Sequence, residues 1–127
     1  MPFDYQIDSV RRRVWVTYEG DFRPDEGLAI INRTRTEGAG GYGVLYDLSY
    51  LTGNPTIEHM KRFIQEELRS MPLSGARGPI AIVAVADEIY RMACVYKVLG
   101  RSRLRIKVFN ERSEAEMWLQ QNPPSLD

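Results

Sequence analysis

One stretch of the sequence, Ile80-Ala81-Ile82-Val83-Ala84-Val85-Ala86, is apolar without interruption. A strand in the middle of a parallel sheet is covered on both faces, so its side chains form a continuous apolar run instead of alternating with polar ones. The run is also far shorter than the roughly 20 residues that a membrane-spanning helix needs. It therefore predicts a central strand of a parallel sheet and no membrane span.

Strands and helices alternate along the chain on both sides of this run. Alternation of apolar and polar residues over 3–8, followed by β-branched and aromatic residues over 14–18, predicts a hairpin at the start. Pro24 followed by two acids, and Asn54 followed by Pro55, are typical of the first turns of helices. The predicted elements are strands over 3–8, 14–18, 44–48, 80–86 and 104–109, and helices over 24–36, 54–71, 88–99 and from 113 onward.

After the hairpin each predicted strand is followed by a helix, which is typical of parallel strands joined by helical crossovers. The order β-β-α-β-α-β-α-β-α predicts an α/β fold with a mainly parallel, mixed sheet of about five strands. A chain of 127 residues suits a single domain, which we expect over 1–121. Asn122-Pro123-Pro124 cannot continue the preceding helix, so we expect 122–127 to be a flexible tail.

The charges of the chain balance, with 17 Lys and Arg against 17 Asp and Glu. A protein without net charge lacks the overall field that draws proteins to nucleic acids or anionic membranes. Basic residues gather at 11–13 and along 101–107, where the balancing acids favour a solvated, salt-bridged rim. We therefore expect no nucleic-acid partner.

Metal and dinucleotide sites are not expected either. His59 and Cys94 are the single histidine and the single cysteine, which are too few for a Cys/His metal cluster or an internal disulfide. Gly38, Gly40 and Gly43 have the spacing of a dinucleotide fingerprint, but they follow a predicted helix and precede a strand, which is the reverse of what the fingerprint requires. We expect no metal and no cofactor.

Two features of the sequence bear on its compartment. The first residues lack the basic and apolar regions of a signal peptide. A lone cysteine is more typical of a reducing compartment than of a secreted protein. We expect a cytoplasmic protein.

A local motif accompanies the order of elements. Val44-Leu45-Tyr46-Asp47-Leu48-Ser49 reads as a strand that ends in Asp-Leu-Ser and is followed by a short loop and a helix. This segment, together with the element order over nearly the whole chain, resembles the STAS domain (sulfate transporter and anti-sigma-factor antagonist), especially the small bacterial SpoIIAA-like proteins. The resemblance implies a fold that binds a partner, sometimes a small ligand, rather than one that performs chemistry.

The resemblance also directs attention to the loop after this strand. Phosphorylated members of the family carry Asp-Ser-Ser at the N-terminus of the next helix, whereas this chain has Gly53-Asn54-Pro55-Thr56. Thr56 is the nearest hydroxyl in register, and Ser49 lies earlier in the loop. Free N–H groups at a helix N-terminus favour an anion, so Ser49, Asn54 and Thr56 form the candidate phosphorylation or anion site.

Two aspartates are candidates because they follow predicted strands. Asp47 and Asp87 fall at the carboxyl ends of parallel strands, where α/β sheets gather ligands. An enzyme that uses Asp47, Ser49 and Asp87 is therefore one alternative. Capping and turn roles are simpler, with Asp87 capping the third helix, and we expect no catalytic residue.

The third predicted helix, over 88–99, is apolar nearly all round. One apolar stripe, from Ile89 to Leu99, suits the core, and a second consists of Tyr90, Cys94 and Val98. A small domain cannot easily bury such a helix on every side. The second stripe is therefore predicted to contact a partner subunit or an apolar ligand.

These features predict a non-enzymatic, STAS-like binding module that acts through protein contacts. We expect a homodimer and a regulatory protein partner. The alternative is a carrier of a small molecule or lipid with an apolar pocket beside the third helix, since Sec14-type lipid-binding domains look similar in fold.

Overall fold

The structure, a computed structural model, describes residues 3–69 and 77–124. Within them five strands form one sheet in the order β1-β2-β3-β4-β5, with β1 antiparallel to β2 and the other neighbours parallel. This confirms the predicted α/β class and the mainly parallel, mixed sheet. The elements are β1 (Phe3–Asp8), β2 (Arg13–Asp21), α1 (Pro24–Thr36), β3 (Gly43–Thr52), α2 (Ile57–Arg69), β4 (Ile80–Val83), α3 (Asp87–Gly100), β5 (Ile106–Phe109) and α4 (Arg112–Gln121).

The sheet separates two apolar cores, because successive side chains of a strand point to opposite faces. On one face Tyr46 and Ile82 belong to a large cluster with buried residues of α1, α2 and α3. On the other face Leu45 and Val83 pack with α4 through Leu119. Three helices therefore cover one side of the sheet, and α4 alone covers part of the other.

The strands β2 and β3 are both longer than predicted. β2 continues to Asp21 and β3 to Thr52, with a register shift in their pairing between Thr17 and Glu19. The extension closes with the backbone N–H of Phe22, which donates to the carbonyl of Thr52 at 2.7 Å. The longer parallel pairing of β2 with β3 therefore extends the sheet at the end after which α1 and α2 begin.

Gly53 makes the turn after β3. Its φ is +109°, and a Cβ built on it would lie 3.1 Å from the backbone nitrogen of Phe22. A residue with a side chain is disfavoured there both by the backbone conformation and by the space. Because glycine has no side chain, the backbone of Phe22 can lie close to the end of β3 at this position.

Further element boundaries differ from the sequence-based prediction. The strand predicted over 80–86 ends at Val83, and α4 begins at Arg112 instead of residue 113. α2 begins at Ile57, after Asn54-Pro55, which leaves Thr56 as the residue before the helix. Asp87 is the first residue of α3, and Ala86 takes the cap position without a side-chain hydrogen bond, so the prediction that Asp87 caps this helix is wrong. β5 begins only at Ile106, because the backbone N–H of Leu104 still turns back to the carbonyl of Gly100 at 2.8 Å.

In the ranges that the structure describes, no helix has both the length and the apolar character needed to cross a membrane. The predicted tail falls partly in this range: Asn122–Pro124 follow α4, whereas 125–127 lie outside the described residues. Met71, predicted on the apolar face of α2, also lies outside them.

Candidate functional site: an apolar pocket above a buried carboxylate

An apolar pocket lies between the sheet and the three helices of its larger face, with a volume of about 90 Å³. Tyr18 of β2 and Leu51 of β3 line the pocket close to the carboxyl ends of their strands. In open α/β sheets ligands usually bind at the carboxyl ends of parallel strands. For scale, an engineered apolar cavity of about 150 Å³ holds benzene. The remaining apolar walls come from Phe22, Ile31, Leu48, Met60, Phe63, Ile82, Ile89, Met92 and Ala93.

Flexible side chains form part of this wall. Met60 of α2 and Met92 of α3 are unbranched thioethers that adapt to irregular shapes. Phe63 of α2 lies against α1, where a Cβ built on Gly27 would come within 2.9 Å of its ring. The glycine lets α1 and α2 approach closely and keeps the ring of Phe63 at the pocket.

Charged residues line the pocket beside its apolar wall. Glu19, Asp21, Arg23 and Glu26 all contribute to it. Arg23 Nε lies 3.5 Å from Glu26 Oε1, while Glu26 Oε2 is buried and has no hydrogen-bond partner among the described residues. A carboxylate oxygen removed from water without a donor is energetically costly.

A second carboxylate, that of Glu67, lies buried behind the pocket. The hydroxyls of Tyr46 and Tyr96, which line the pocket, donate to Glu67 Oε2 at 3.1 Å and 2.5 Å. Arg77 donates to Oε1 from the other side, and both charged side chains are fully shielded from solvent. Glu67 thus links α2 to β3, to α3 and to the segment before β4.

Arg77 extends this network to a loop. Its Nη1 donates to the carbonyl of Gly40 at 2.5 Å, whereas its Nε has no partner among the described residues. Burial lowers the pKa of the guanidinium, but the charge of Glu67 and the neighbouring tyrosines more than offset this, and the net effect is a raised pKa. Arg77 is therefore a buried cation that neutralises Glu67.

Three tyrosines around the pocket are held in their neutral form. Burial, reinforced by the negative charge of Glu67, raises the pKa of Tyr46 and of Tyr96 well above the usual value. Burial also raises the pKa of Tyr18, with further contributions from Glu67 and Glu26. These phenols present neutral hydroxyl groups next to two carboxylates.

The predicted contact residues of α3 lie on a different side of that helix. Ile89, Met92, Ala93 and Tyr96 line the pocket, whereas Tyr90, Cys94 and Val98 do not. Tyr90 is 39% exposed and Val98 54% exposed, and Cys94 is half-buried. α3 therefore has an inner side at the pocket and an outer apolar side toward solvent.

The predicted strand-end residues lie apart from the pocket lining. Asp47 is buried on the α4 face, where Oδ1 accepts hydrogen bonds from the backbone N–H and the hydroxyl of Ser49 at 3.0 Å and 2.6 Å. Its Oδ2 accepts a hydrogen bond from Arg112 Nη1 at 3.1 Å. Asp87 is exposed in the first turn of α3. The three candidate residues Asp47, Ser49 and Asp87 therefore do not join in the pocket.

The candidate phosphorylation or anion site divides in the same way. Ser49 is held by Asp47, whereas Thr56 and Asn54 are exposed before α2. Thr56 and His59 form a reciprocal cap: Thr56 Oγ1 accepts from the backbone N–H of His59 at 3.3 Å, and His59 Nδ1 accepts from that of Thr56 at 3.1 Å. This is a capping box in which histidine replaces the usual Glu or Gln.

Sequence reasoning did not find the acidic residues of the site, of which Glu67 and Glu26 are the most buried. Glu67 lies three residues after Ile64 and seven after Met60, both buried, so its position on the apolar face of α2 was a readable signal. Glu26 had no comparable signal, because acids in the first turn of a helix are common. The pocket itself depends on the extension of β2 and β3, which the residue pattern does not predict.

Comparisons with known proteins bear on the fold. No protein-family model matches the chain, and no curated protein matches it. The chain is similar to SpoIIAA. The solved structure is that of the Bacillus cell fate determinant SpoIIAA in its phosphorylated form, with 12% identity, a TM-score of 0.46, and coverage of 91% of this chain and 99% of that one. This similarity is one of fold alone.

Proposed function

We propose that this protein is a non-enzymatic binding module whose pocket takes up a small, largely apolar molecule. The observation that carries the proposal is the partly open apolar pocket lined by the sheet and the inner side of α3. Pockets of this kind, apolar with a few polar groups, are the usual form of small-molecule sites. We propose that the protein is cytoplasmic, because a single cysteine is more typical of proteins in a reducing compartment.

The plan of the site favours binding over chemistry. Two buried acids are held by neighbouring donors: Glu67 accepts from two tyrosines and Arg77, and Asp47 accepts from Ser49 and Arg112. Glu26, which lines the pocket, lies beside the guanidinium of Arg23. A general base must instead reach the proton that it removes. The apolar wall, by contrast, favours binding of an apolar molecule, because contact between the two removes apolar surface from water.

Benzene is the uncharged probe for this proposal. The pocket, at about 90 Å³, is smaller than the engineered cavity of about 150 Å³ that holds benzene, so binding requires the flexible side chains of Met60 and Met92 to move aside. We expect millimolar benzene to shift the methyl resonances of Met60 and Met92 in an NMR titration that saturates. Ala93→Phe fills the pocket from α3 and should abolish the shift, whereas Met117→Phe adds a ring at an exposed position of α4, outside the pocket lining, and should leave it unchanged. Absence of a saturable shift in the wild-type protein would overturn the proposal. Native mass spectrometry of the purified protein would then identify a ligand acquired during expression.

A second candidate function, protein contact, rests on the outer side of α3. Tyr90 and Val98 are exposed there, as is Val85 just before the helix, at 57%. Exposed apolar patches on small proteins often mark contact sites. We propose a homodimer through this side, with a regulatory protein as the alternative partner. Light scattering at micromolar concentration should give twice the chain mass, and Val98→Glu should reduce it to one chain; a wild-type monomer would exclude the homodimer.

A further inference from the structure

The polar lining of the pocket is mostly acidic. Glu19, Asp21 and Glu26 contribute three carboxylates, against the single guanidinium of Arg23 among the described lining residues. That guanidinium already lies beside Glu26 Oε1 and is largely exposed. The pocket therefore has an excess of negative charge next to an apolar wall.

One of these carboxylates has an unused acceptor. Glu26 Oε2 is buried and has no hydrogen-bond partner among the described residues. The hydroxyl of Tyr18, which also lines the pocket, likewise has no described hydrogen bond, and burial together with the charges of Glu67 and Glu26 keeps it neutral by raising its pKa. Buried polar atoms in proteins normally have a hydrogen-bond partner. The unpaired Glu26 Oε2 at the pocket is therefore an acceptor to which a donor group of a ligand can bind.

We propose that the pocket selects molecules in which an apolar part ends in a protonated amine, and that Glu26 receives the amine. The inference rests on the proposed function, since the apolar part would occupy the cavity walls. An ammonium group carries three N–H donors and a positive charge, so it can satisfy Glu26 Oε2 and also contact the oxygen of Tyr18.

The same groups disfavour a carboxylate at this end of a ligand. A fatty-acid anion would meet Glu19, Asp21 and Glu26 with only Arg23 as counter-charge, and like charges brought together in a partly dry site repel. To bind there it would have to draw Arg23 away from Glu26. The pocket thus discriminates by charge as well as by size.

Hexylamine and hexanoate test this discrimination, because they share a chain length and differ in the charge of the end group. At pH 7 and low salt we expect hexylamine to bind roughly tenfold tighter than hexanoate, a difference of about 1.4 kcal/mol, in titrations that follow the methyls of Met60 and Met92. Glu26→Gln should reduce the preference to less than about threefold. Asp25→Asn removes a neighbouring, exposed acid outside this pocket and should keep the preference.

The outcomes separate this inference from the proposed function. If benzene binds but hexanoate binds as tightly as hexylamine, the selectivity for amines is wrong and the pocket remains. Tight hexanoate binding that is lost in Arg23→Gln would overturn the inference in the same way. If none of the three probes binds, the pocket proposal fails as well. Should Glu26→Gln not fold, the wild-type ratio of the two affinities decides the question alone.

Discussion

Glu67 and Arg77 form an ion pair in which both side chains are completely shielded from solvent. The pair is not isolated, because two tyrosine hydroxyls donate to Glu67 and a backbone carbonyl accepts from Arg77. A buried pair of charges persists only with such support, since the attraction between the charges must offset the loss of their hydration.

Removal of one partner of this pair should be far more damaging than removal of both. Glu67→Leu and Arg77→Met should each lower the free energy of unfolding by about 3–5 kcal/mol, because each leaves an unpaired buried charge or orphaned donors. The double variant should lose clearly less than the sum of the two. Urea denaturation of the four proteins measures the coupling, and strictly additive losses would contradict the pairing seen here.

The buried tyrosines predict a loss of stability at alkaline pH. Because the pKa values of Tyr46 and Tyr96 are raised in the folded state, the unfolded chain loses its phenolic protons first, near its ordinary value of 10.0. Their stabilising effect is thus complete below that pH and declines as pH rises above it, by up to about 1.4 kcal/mol per pH unit for each group.

Tyr46→Phe tests the alkaline prediction. The variant should be less stable at neutral pH, because Glu67 loses a donor, but its stability should fall less steeply above pH 10.0. Tyr50→Phe is the matched control, since Tyr50 is 65% exposed and should leave the slope unchanged. Equal slopes in all three proteins, measured by urea denaturation across this pH range, would show that these phenols titrate as in the unfolded chain.

The reciprocal cap of α2 gives a third prediction. Thr56→Ala removes the acceptor for the backbone N–H of His59 and should cost about 1 kcal/mol in the free energy of unfolding. His59→Glu restores the usual capping residue and should be neutral or stabilising, whereas His59→Ala should lose stability. Thermal unfolding of the three variants checks the order.

The same cap bears on modification of Thr56. A phosphoryl group on this hydroxyl would occupy the oxygen that caps the helix, but free N–H groups at that end would still favour the added charge. Intact-mass measurement after expression with the cognate kinase tests for it, and Thr56→Ala serves as the unmodifiable control. Ser49 is expected to stay unmodified because its hydroxyl is held by Asp47.

Local pattern was sufficient for the fold but not for the site. Alternation over 3–8 predicted β1, and the apolar run at 80–86 predicted β4, because burial on one or both faces of a strand determines which positions are apolar. The end of the run was wrong, since β4 stops at Val83 and Val85 is exposed. The start of α2 was misplaced, since Asn54-Pro55 is a good helix start by itself and only the three-dimensional contact of Thr56 with His59 moves the start to Ile57. Glu67 and Arg77 are ten residues apart in the sequence, so neither helical nor strand periodicity pairs them.

The inner side of α3 is proposed to bind a ligand, and its outer side is proposed to bind a partner. The inner side lines the pocket and the outer side is exposed, yet both belong to the same helix. If a ligand displaces α3, it alters the surface offered to the partner, and linkage then requires the partner to change ligand affinity by the same factor. A protein of this size would in that case report ligand concentration through its state of association, with a single helix as the transmitting part.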